Sequence, residues 1–164
     1  MRIFALLLVL LLWQGCGYKP AKRYVRTILG SKVYTEVVVD LRDPQNSVLI
    51  KDALNQAILR RFGQNLVPRS RADTVVRVEM KHLYFTPLEY DADGYVIYYR
   101  TKVILDFTLH SQKGIRHIQT SGLYDFPIEP NSVITDAMRY IAIKEAANKA
   151  LDRFISQLSF QGAR

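Results

Sequence analysis

The sequence predicts an α/β two-layer sandwich in which two helices pack on one face of a four-stranded mixed sheet, in the order β-α-β-β-β-α. Three observations carry this expectation. Two stretches, Ser47 to Phe62 and Asn131 to Ser159, repeat apolar residues every three to four positions. The chain between them alternates apolar and polar residues, and an Asp93-Gly94 pair interrupts that alternation where a hairpin turn is expected.

The first strand is predicted over Val33 to Leu41, with Val33, Val37, Val39 and Leu41 on one side and Tyr34, Glu36 and Asp40 on the other. Asp43-Pro44 ends it. Ile50, Ala53, Leu54, Ala57, Ile58 and Phe62 then form the apolar stripe of a helix, with Ser47 as N-cap and Gly63 as stop. A right-handed crossover through this helix makes the first two strands parallel. With Asp93-Gly94 in a type I′ turn, Ala92 lies opposite Tyr95. Met80 then faces Phe107, Val78 faces Leu109 and Tyr84 faces Val103, while Lys81 meets Asp106 and Glu79 meets Thr108 on the other face. Pro87 interrupts the outer part of the hairpin. A further strand, Ile115 to Tyr124, follows a turn at Gly114 and has the less apolar face of an edge. Beyond Pro127 and Pro130 the last helix starts at Asn131 or Ser132. It carries Tyr140, Ile143, Ala147, Leu151, Phe154 and Leu158 along one stripe and ends near Ser159.

The N-terminus has a different character. Arg2, the apolar run Ile3 to Trp13 and the stop Gln14-Gly15-Cys16-Gly17-Tyr18 have the layout of an export signal, and the run is too short for a bilayer span of ~20 residues. A Gly-Cys pair stands where a cleavage site belongs, the pattern of a bacterial lipoprotein signal, in which Cys16 takes a diacylglycerol and becomes the acylated N-terminus. Trp13 and Gln14 depart from the leucine and small residue usual at their places. An ordinary cleaved signal with an incidental cysteine, or an uncleaved anchor, remain the alternatives. A lone cysteine in an exported chain would be open to oxidation, and its place directly after the apolar run favours lipid attachment. The expected organisation is a signal peptide over 1–15, a lipidated N-terminus and tether over 16–32, and a single domain over 33–164. Gly17 after the cysteine fits onward sorting to the outer membrane.

The net charge of +8 points to an acidic partner such as anionic lipid or a phosphorylated glycolipid, or else to a scattered solvated basic surface. Export argues against nucleic acid. Motifs for chemistry are thin. Glu89 to Gly94 imitates the start of a calcium loop, but Arg100 stands where a bidentate glutamate is needed. His82, His110 and His117 lack the spacing of a zinc site, so no metal and no cofactor is expected. Ser111 adjoins His110, yet strand neighbours point to opposite faces and no nucleophile elbow surrounds the serine. Tyr90, Tyr95, Tyr98 and Tyr99 cluster near the hairpin tip, suited to packing or to a partner contact.

Cys16-Gly17-Tyr18 after the signal, the element order, the tyrosine-rich hairpin and the Ala-rich last helix together resemble the lipopolysaccharide-assembly lipoprotein family, LptE. The resemblance spans essentially the whole mature chain and includes no catalytic motif. It implies a non-enzymatic outer-membrane lipoprotein that plugs and helps assemble an LptD-like β-barrel and contacts lipopolysaccharide bound for the outer leaflet. Its membrane tie would be the lipidated Cys16. On that reading Arg77, Lys81, Arg100 and Lys102, on the exposed hairpin face, are the candidate contacts for the barrel wall or for lipid phosphates. Two readings from other classes stand beside it. One is a lipoprotein regulator of another envelope machine, a cell-wall synthase activator or a lipid-transporter accessory. The other is a weak acid hydrolase built on Asp91 and Asp93.

Overall fold

The computed structural model describes residues 28–38, 66–162 and the single positions Asp52, Gln56 and Leu59. Four strands, β1 (Val33–Val38), β2 (Thr74–Tyr90), β3 (Val96–Ser111) and β4 (Gly114–Pro127), form one sheet in the order β1-β2-β3-β4. β1 runs parallel to β2 with Val33 opposite Thr74, as the crossover requires, and the other two pairings are antiparallel. A 27-residue helix, α1 (Asp136–Gly162), packs against β3 and β4. The mixed four-stranded sheet with a C-terminal helix agrees with the expected sandwich. Of the predicted first helix, Asp52, Gln56 and Leu59 are helical and exposed, and Leu59 is the residue the predicted apolar stripe left out. The rest of that helix, residues 39–51 and Cys16 lie outside the described residues.

The core forms because two periodicities meet. Inward residues of the strands, Val76, Val78, Leu105, Phe107 and Leu109, are buried against the stripe Ile143, Ala147, Leu151, Phe154 and Leu158 of α1. Phe107 and Phe154 stack with ring centroids 4.0 Å apart. The predicted helical stripe is therefore the buried one, apart from Tyr140, which is half-buried. Small residues set the distance between layers. Gly122 of β4 lies so near the helix that a Cβ there would clash with the Ala146 carbonyl oxygen and sit 2.7 Å from the Ala150 nitrogen. Two residues earlier, the Thr120 hydroxyl donates to the Ala150 carbonyl at 2.8 Å.

A second apolar cluster fills the far end of the sheet. Phe126, Ile128 and Ala142 pack with Phe85, Tyr99, Tyr124, Ile134 and Met138, and Phe126 stacks with both Tyr99 and Tyr124. The packed domain also begins earlier than Val33. Leu29, placed by the sequence in the tether, is 1% exposed in the main core. Asp73, just before β2, accepts hydrogen bonds at Oδ2 from the backbone N–H groups of Ser31 and Lys32, each at 3.0 Å. The Lys32 contact leads the causes that hold its carboxyl below the ordinary range, followed among the lowering contributions by Ser31.

The hairpin is where the expected register needs correction. Gly94 alone takes a positive φ in the turn, at 85°. Its N–H donates to the Asp91 carbonyl at 3.1 Å, and Asp91 N–H donates to the Tyr95 carbonyl at 2.9 Å. The loop is thus a three-residue connection ending in a left-handed glycine, not a type I′ turn, and Asp91 rather than Ala92 lies opposite Tyr95. That slip of one residue turns Tyr84 outward, opposite Lys102, and puts Leu83 opposite Val103. A bulge then leaves Lys81 as an extra residue between Met80, opposite Leu105, and His82, opposite Ile104. Beyond it the slip is two residues, so Val78 faces Phe107, Val76 faces Leu109, Glu79 faces Asp106 and Arg77 faces Thr108. An even slip restores the expected faces with different partners. Pro87 stays within β2 opposite Tyr99, and the irregularity falls beside it at Leu88.

α1 starts at Asp136, later than expected. Asn131 adopts a φ of 59° and Ser132 folds back onto the Glu129 carbonyl, so these residues make a turn. Thr135 does the capping, its hydroxyl accepting from the Met138 N–H at 3.3 Å. β4 likewise extends beyond the expected Ile115–Tyr124 at both ends.

The close approach at Gly122 yields a test. Gly122→Ala is expected to destabilise the domain by about 3 kcal/mol or more, because backbone atoms of α1 must move to admit the methyl group. Ile115→Ala, at an exposed position of the same strand, should stay within about 0.5 kcal/mol of the wild type. Denaturant melts of both variants measure this, and equal midpoints would refute the close approach.

Candidate functional site

The helix covers one face of the sheet, and the opposite face carries the charged side chains. Alternation along the strands puts them there: each strand residue facing away from the core sits beside its cross-strand partners. Four of the ranks that cross this face of β2, β3 and β4 bear on the candidate cations. Arg77, Thr108 and His117 form the first, Glu79, Asp106 and Gln119 the second, Tyr84, Lys102 and Leu123 the third, and Thr86, Arg100 and Asp125 the fourth. Ile104 lies between the second and third.

The candidate cations divide into two kinds. Arg100 is spoken for: its Nε and Nη2 donate to Asp125 Oδ1 and Oδ2 at 2.8 and 2.6 Å, a bidentate pair within the sheet. That hydrogen bond leads the causes that raise the Arg100 pKa and lower that of Asp125. Lys81, displaced by its bulge, donates from Nζ to Glu79 Oε1 at 2.7 Å and lies 4.0 Å from Asp106 Oδ2. The Glu79 hydrogen bond is the main reason its pKa rises. Asp106 also accepts from Gln119 Nε2 at 2.7 Å, so the second rank is a closed network. Arg77 and Lys102 are exposed and make no such pairs among the described residues.

Those two free cations differ in surroundings. Arg77 shares its rank with Thr108 and His117, whose Oγ1 and Nδ1 are 3.2 Å apart, at one end of a shallow groove lined by the Glu79–Gln119 network. Lys102 stands between the exposed Tyr84 ring, stacked with His82 at 5.6 Å, and the half-buried Leu123, next to Ile104 along β3. A lone ammonium on an aromatic and aliphatic floor suits an amphiphile with an anionic head. Arg77 and Lys102 are set six residues apart along the β3 frame, about 20 Å, so they cannot share one anionic group.

The sequence placed Lys81 beside Asp106, which lies 4.0 Å from it, but did not find the closer Glu79 partner or the Asp125 partner of Arg100. Asp125 lies one residue beyond the expected end of the last strand at Tyr124, and in the unbroken β3–β4 register it falls opposite Arg100, while Tyr84 was placed on the wrong face by the one-residue slip. Among the described residues, no three His, Cys, Asp or Glu side chains converge as a metal site. Ser111 Oγ bonds the Gly114 carbonyl and the Lys113 N–H within its own turn. Asp91 Oδ1 accepts from the N–H groups of Asp93 and Tyr95 and so holds the hairpin loop.

The family model for lipopolysaccharide-assembly LptE matches residues 34–158. The chain belongs to the LptE family. This is a family of non-enzymatic, outer-membrane-associated lipoproteins with a role in lipopolysaccharide assembly, and it is associated in general with LptD and lipopolysaccharide. Among solved structures, the chain is similar to rare lipoprotein B from Shewanella oneidensis, with 15% identity and a TM-score of 0.49 over 79% of this chain and 96% of that one. It is also similar to a minor lipoprotein from Acinetobacter baumannii, with 11% identity and a TM-score of 0.44 over 81% and 94%. No curated protein sequence matches significantly. Among the described residues, no helix is long and apolar enough to cross a membrane.

The Arg100–Asp125 pair makes a pH prediction for this LptE-family domain. A carboxyl with a lowered folded-state pKa stabilises the fold above its ordinary pKa of 3.8, and the contribution disappears as pH falls through the folded value. Asp125→Asn should therefore melt below the wild type at pH 7, and the two curves should converge in acid below pH 3.8. A gap of constant size across thermal melts from neutral to acid pH would contradict this.

Proposed function

We propose that this chain is an outer-membrane lipoprotein, anchored through an acylated Cys16, that plugs and helps assemble an LptD-like β-barrel and assists the insertion of lipopolysaccharide into the outer leaflet. The family match over residues 34–158 is the observation that carries this reading. The physical properties of the domain support it. A plug needs a rigid body whose outer surface can hydrogen-bond the polar lining of a barrel, and the charged ranks of the open face provide such a surface. The lipid anchor would keep the plug near its barrel, where a high effective concentration favours the complex.

On this reading Lys102 is the contact for a lipopolysaccharide phosphate, with Tyr84, Ile104 and Leu123 beneath the sugar or acyl part. Arg77 serves a separate anionic group or the barrel wall. Arg100 and Lys81, already neutralised by Asp125 and Glu79, act in the architecture of the face instead.

Purification of the tagged full-length protein from detergent-solubilised membranes tests the reading. A single large β-barrel should be recovered in roughly equal amount, and depletion should leave lipopolysaccharide inside the cell. Recovery of a cell-wall synthase or a lipid transporter instead would favour the envelope-regulator reading. Cys16→Ala should abolish lipid labelling of the chain, and labelling that persists would refute the anchor. Lys102→Glu should weaken lipopolysaccharide binding roughly tenfold, the loss of one charge-assisted bond, with unchanged thermal stability. Equal binding by that variant would remove Lys102 from the lipid path.

A further inference from the structure

The far end of the hairpin is unlike the rest of the molecule. In a chain of net charge +8, the seventeen residues from Leu83 to Tyr99 contain Glu89, Asp91 and Asp93 and neither lysine nor arginine. Pairing of β4 to β3 stops at Pro127 opposite Tyr98, with one more backbone bond from Ile128 N–H to the Ile97 carbonyl. Among the described residues, β1 pairs with β2 no further than Val38 opposite Glu79. Beyond these points the tip is a two-stranded ribbon. Three large side chains at this end are exposed: Leu88, Tyr90 and Tyr95, with Tyr90 59% and Tyr95 46% accessible on either side of the loop.

The ribbon is nonetheless preorganised. Asp91 Oδ1 accepts the Asp93 and Tyr95 N–H groups at 3.0 and 2.8 Å, and the Asp91 N–H closes the loop onto the Tyr95 carbonyl. Behind the loop, the Phe126 stack with Tyr99 and Tyr124, and the edge contact of Phe85, anchor the ribbon to the second apolar cluster. A surface already held in one conformation gives up little entropy on binding.

We propose that this acidic, tyrosine-bearing tip is a protein-docking surface that seats in an arginine-rich recess of the barrel partner. The assignment rests on the barrel reading above and adds an orientation to it. Charge selects the occupant: carboxylates of Glu89 and Asp93 repel anionic lipid headgroups and glycolipid phosphates, and attract guanidinium groups. The rings of Tyr90 and Tyr95 add faces over which a guanidinium stacks, a combination that lysine serves less well. Exposed tyrosine also gives a large contact area at a small cost in side-chain entropy, as in the anchoring residues of protein interfaces. The molecule is thereby polarised, with the tip turned to protein and Lys102, back along the sheet, turned to lipid.

Glu89→Lys/Asp93→Lys and Tyr90→Ala/Tyr95→Ala variants of the full-length chain test this, since none of the four side chains takes part in the core. Their thermal melts should overlay that of the wild type, and Asp152→Lys, exposed on α1 well back from the loop, serves as the charge control. The barrel retained per chain on purification is expected to fall roughly tenfold in each double variant and to be unchanged in the control. Lipopolysaccharide binding by the isolated variants is expected to stay at the wild-type level. A wild-type chain that holds the barrel while either double variant holds it equally well overturns the tip assignment alone. A wild-type chain that holds no barrel defeats the barrel reading, and this orientation with it.

Discussion

Backbone contact between β4 and α1 at Gly122 is the constraint on which the remaining geometry depends. With no Cβ at 122 and only methyl groups at Ala146 and Ala150, the helix comes near enough to the strand for Thr120 to bond the Ala150 carbonyl. Ordinary layer packing holds a helix off a sheet by the length of its side chains. Here that spacing collapses along one line, while the bulkier Phe154, Leu151 and Leu158 share one buried cluster with Phe107 and the inward valines, Phe154 stacking on Phe107. The Ala-rich character of the last helix is thus a requirement of contact distance as well as of helix propensity.

Putting the helix so close to one face leaves the other to solvent or to partners. A mixed sheet with one covered face must place its charge on the open one, and the bidentate Arg100–Asp125 pair and the Glu79–Lys81–Asp106–Gln119 network neutralise much of it internally. What remains available is sparse and specific. Arg77 and Lys102, which make no ion pair among the described residues, lie far apart, and the tip presents carboxylates and phenol rings. A family role in lipopolysaccharide assembly calls for contact with an anionic amphiphile and with proteins, and one sheet face carries separate regions of suitable chemistry for each.

Much of the fold was legible in the sequence because its signals were periodic. The stripe from Ile143 to Leu158 repeats over four turns, and no alternative face of that helix competes with it. The parallel first pair followed from the connection between Val33 and Thr74. The hairpin register was less legible because it depended on two discrete events that leave no periodic mark. Asp93-Gly94 reads as a type I′ turn, yet the Asp91 side chain captures the Asp93 and Tyr95 N–H groups and makes a three-residue loop more favourable. The bulge at Lys81 has no glycine to announce it. The bulge also hid the Lys81–Glu79 bond, and ending the last strand at Tyr124 hid Asp125: Arg77, Lys81, Arg100 and Lys102 could be named from the sequence, but which of them are paired depends on partners across the sheet.

The bulge has a positive consequence as well. With Lys81 inserted, inward parity passes from Val76, Val78 and Met80 to Leu83 and Phe85, so the long hairpin serves two apolar clusters without a break in the strand. The same switch turns His82 and Tyr84 to the open face, beside Lys102. Without it, Tyr84 would point toward the helix layer and the half-buried Phe85 would turn to solvent, away from the apolar clusters it packs against. It also leaves Lys81 within reach of both Glu79 and Asp106. A single extra residue therefore joins the two cores and sets the charge pattern of the candidate site, and the local irregularity of β2 is where the fold and the function of this domain meet.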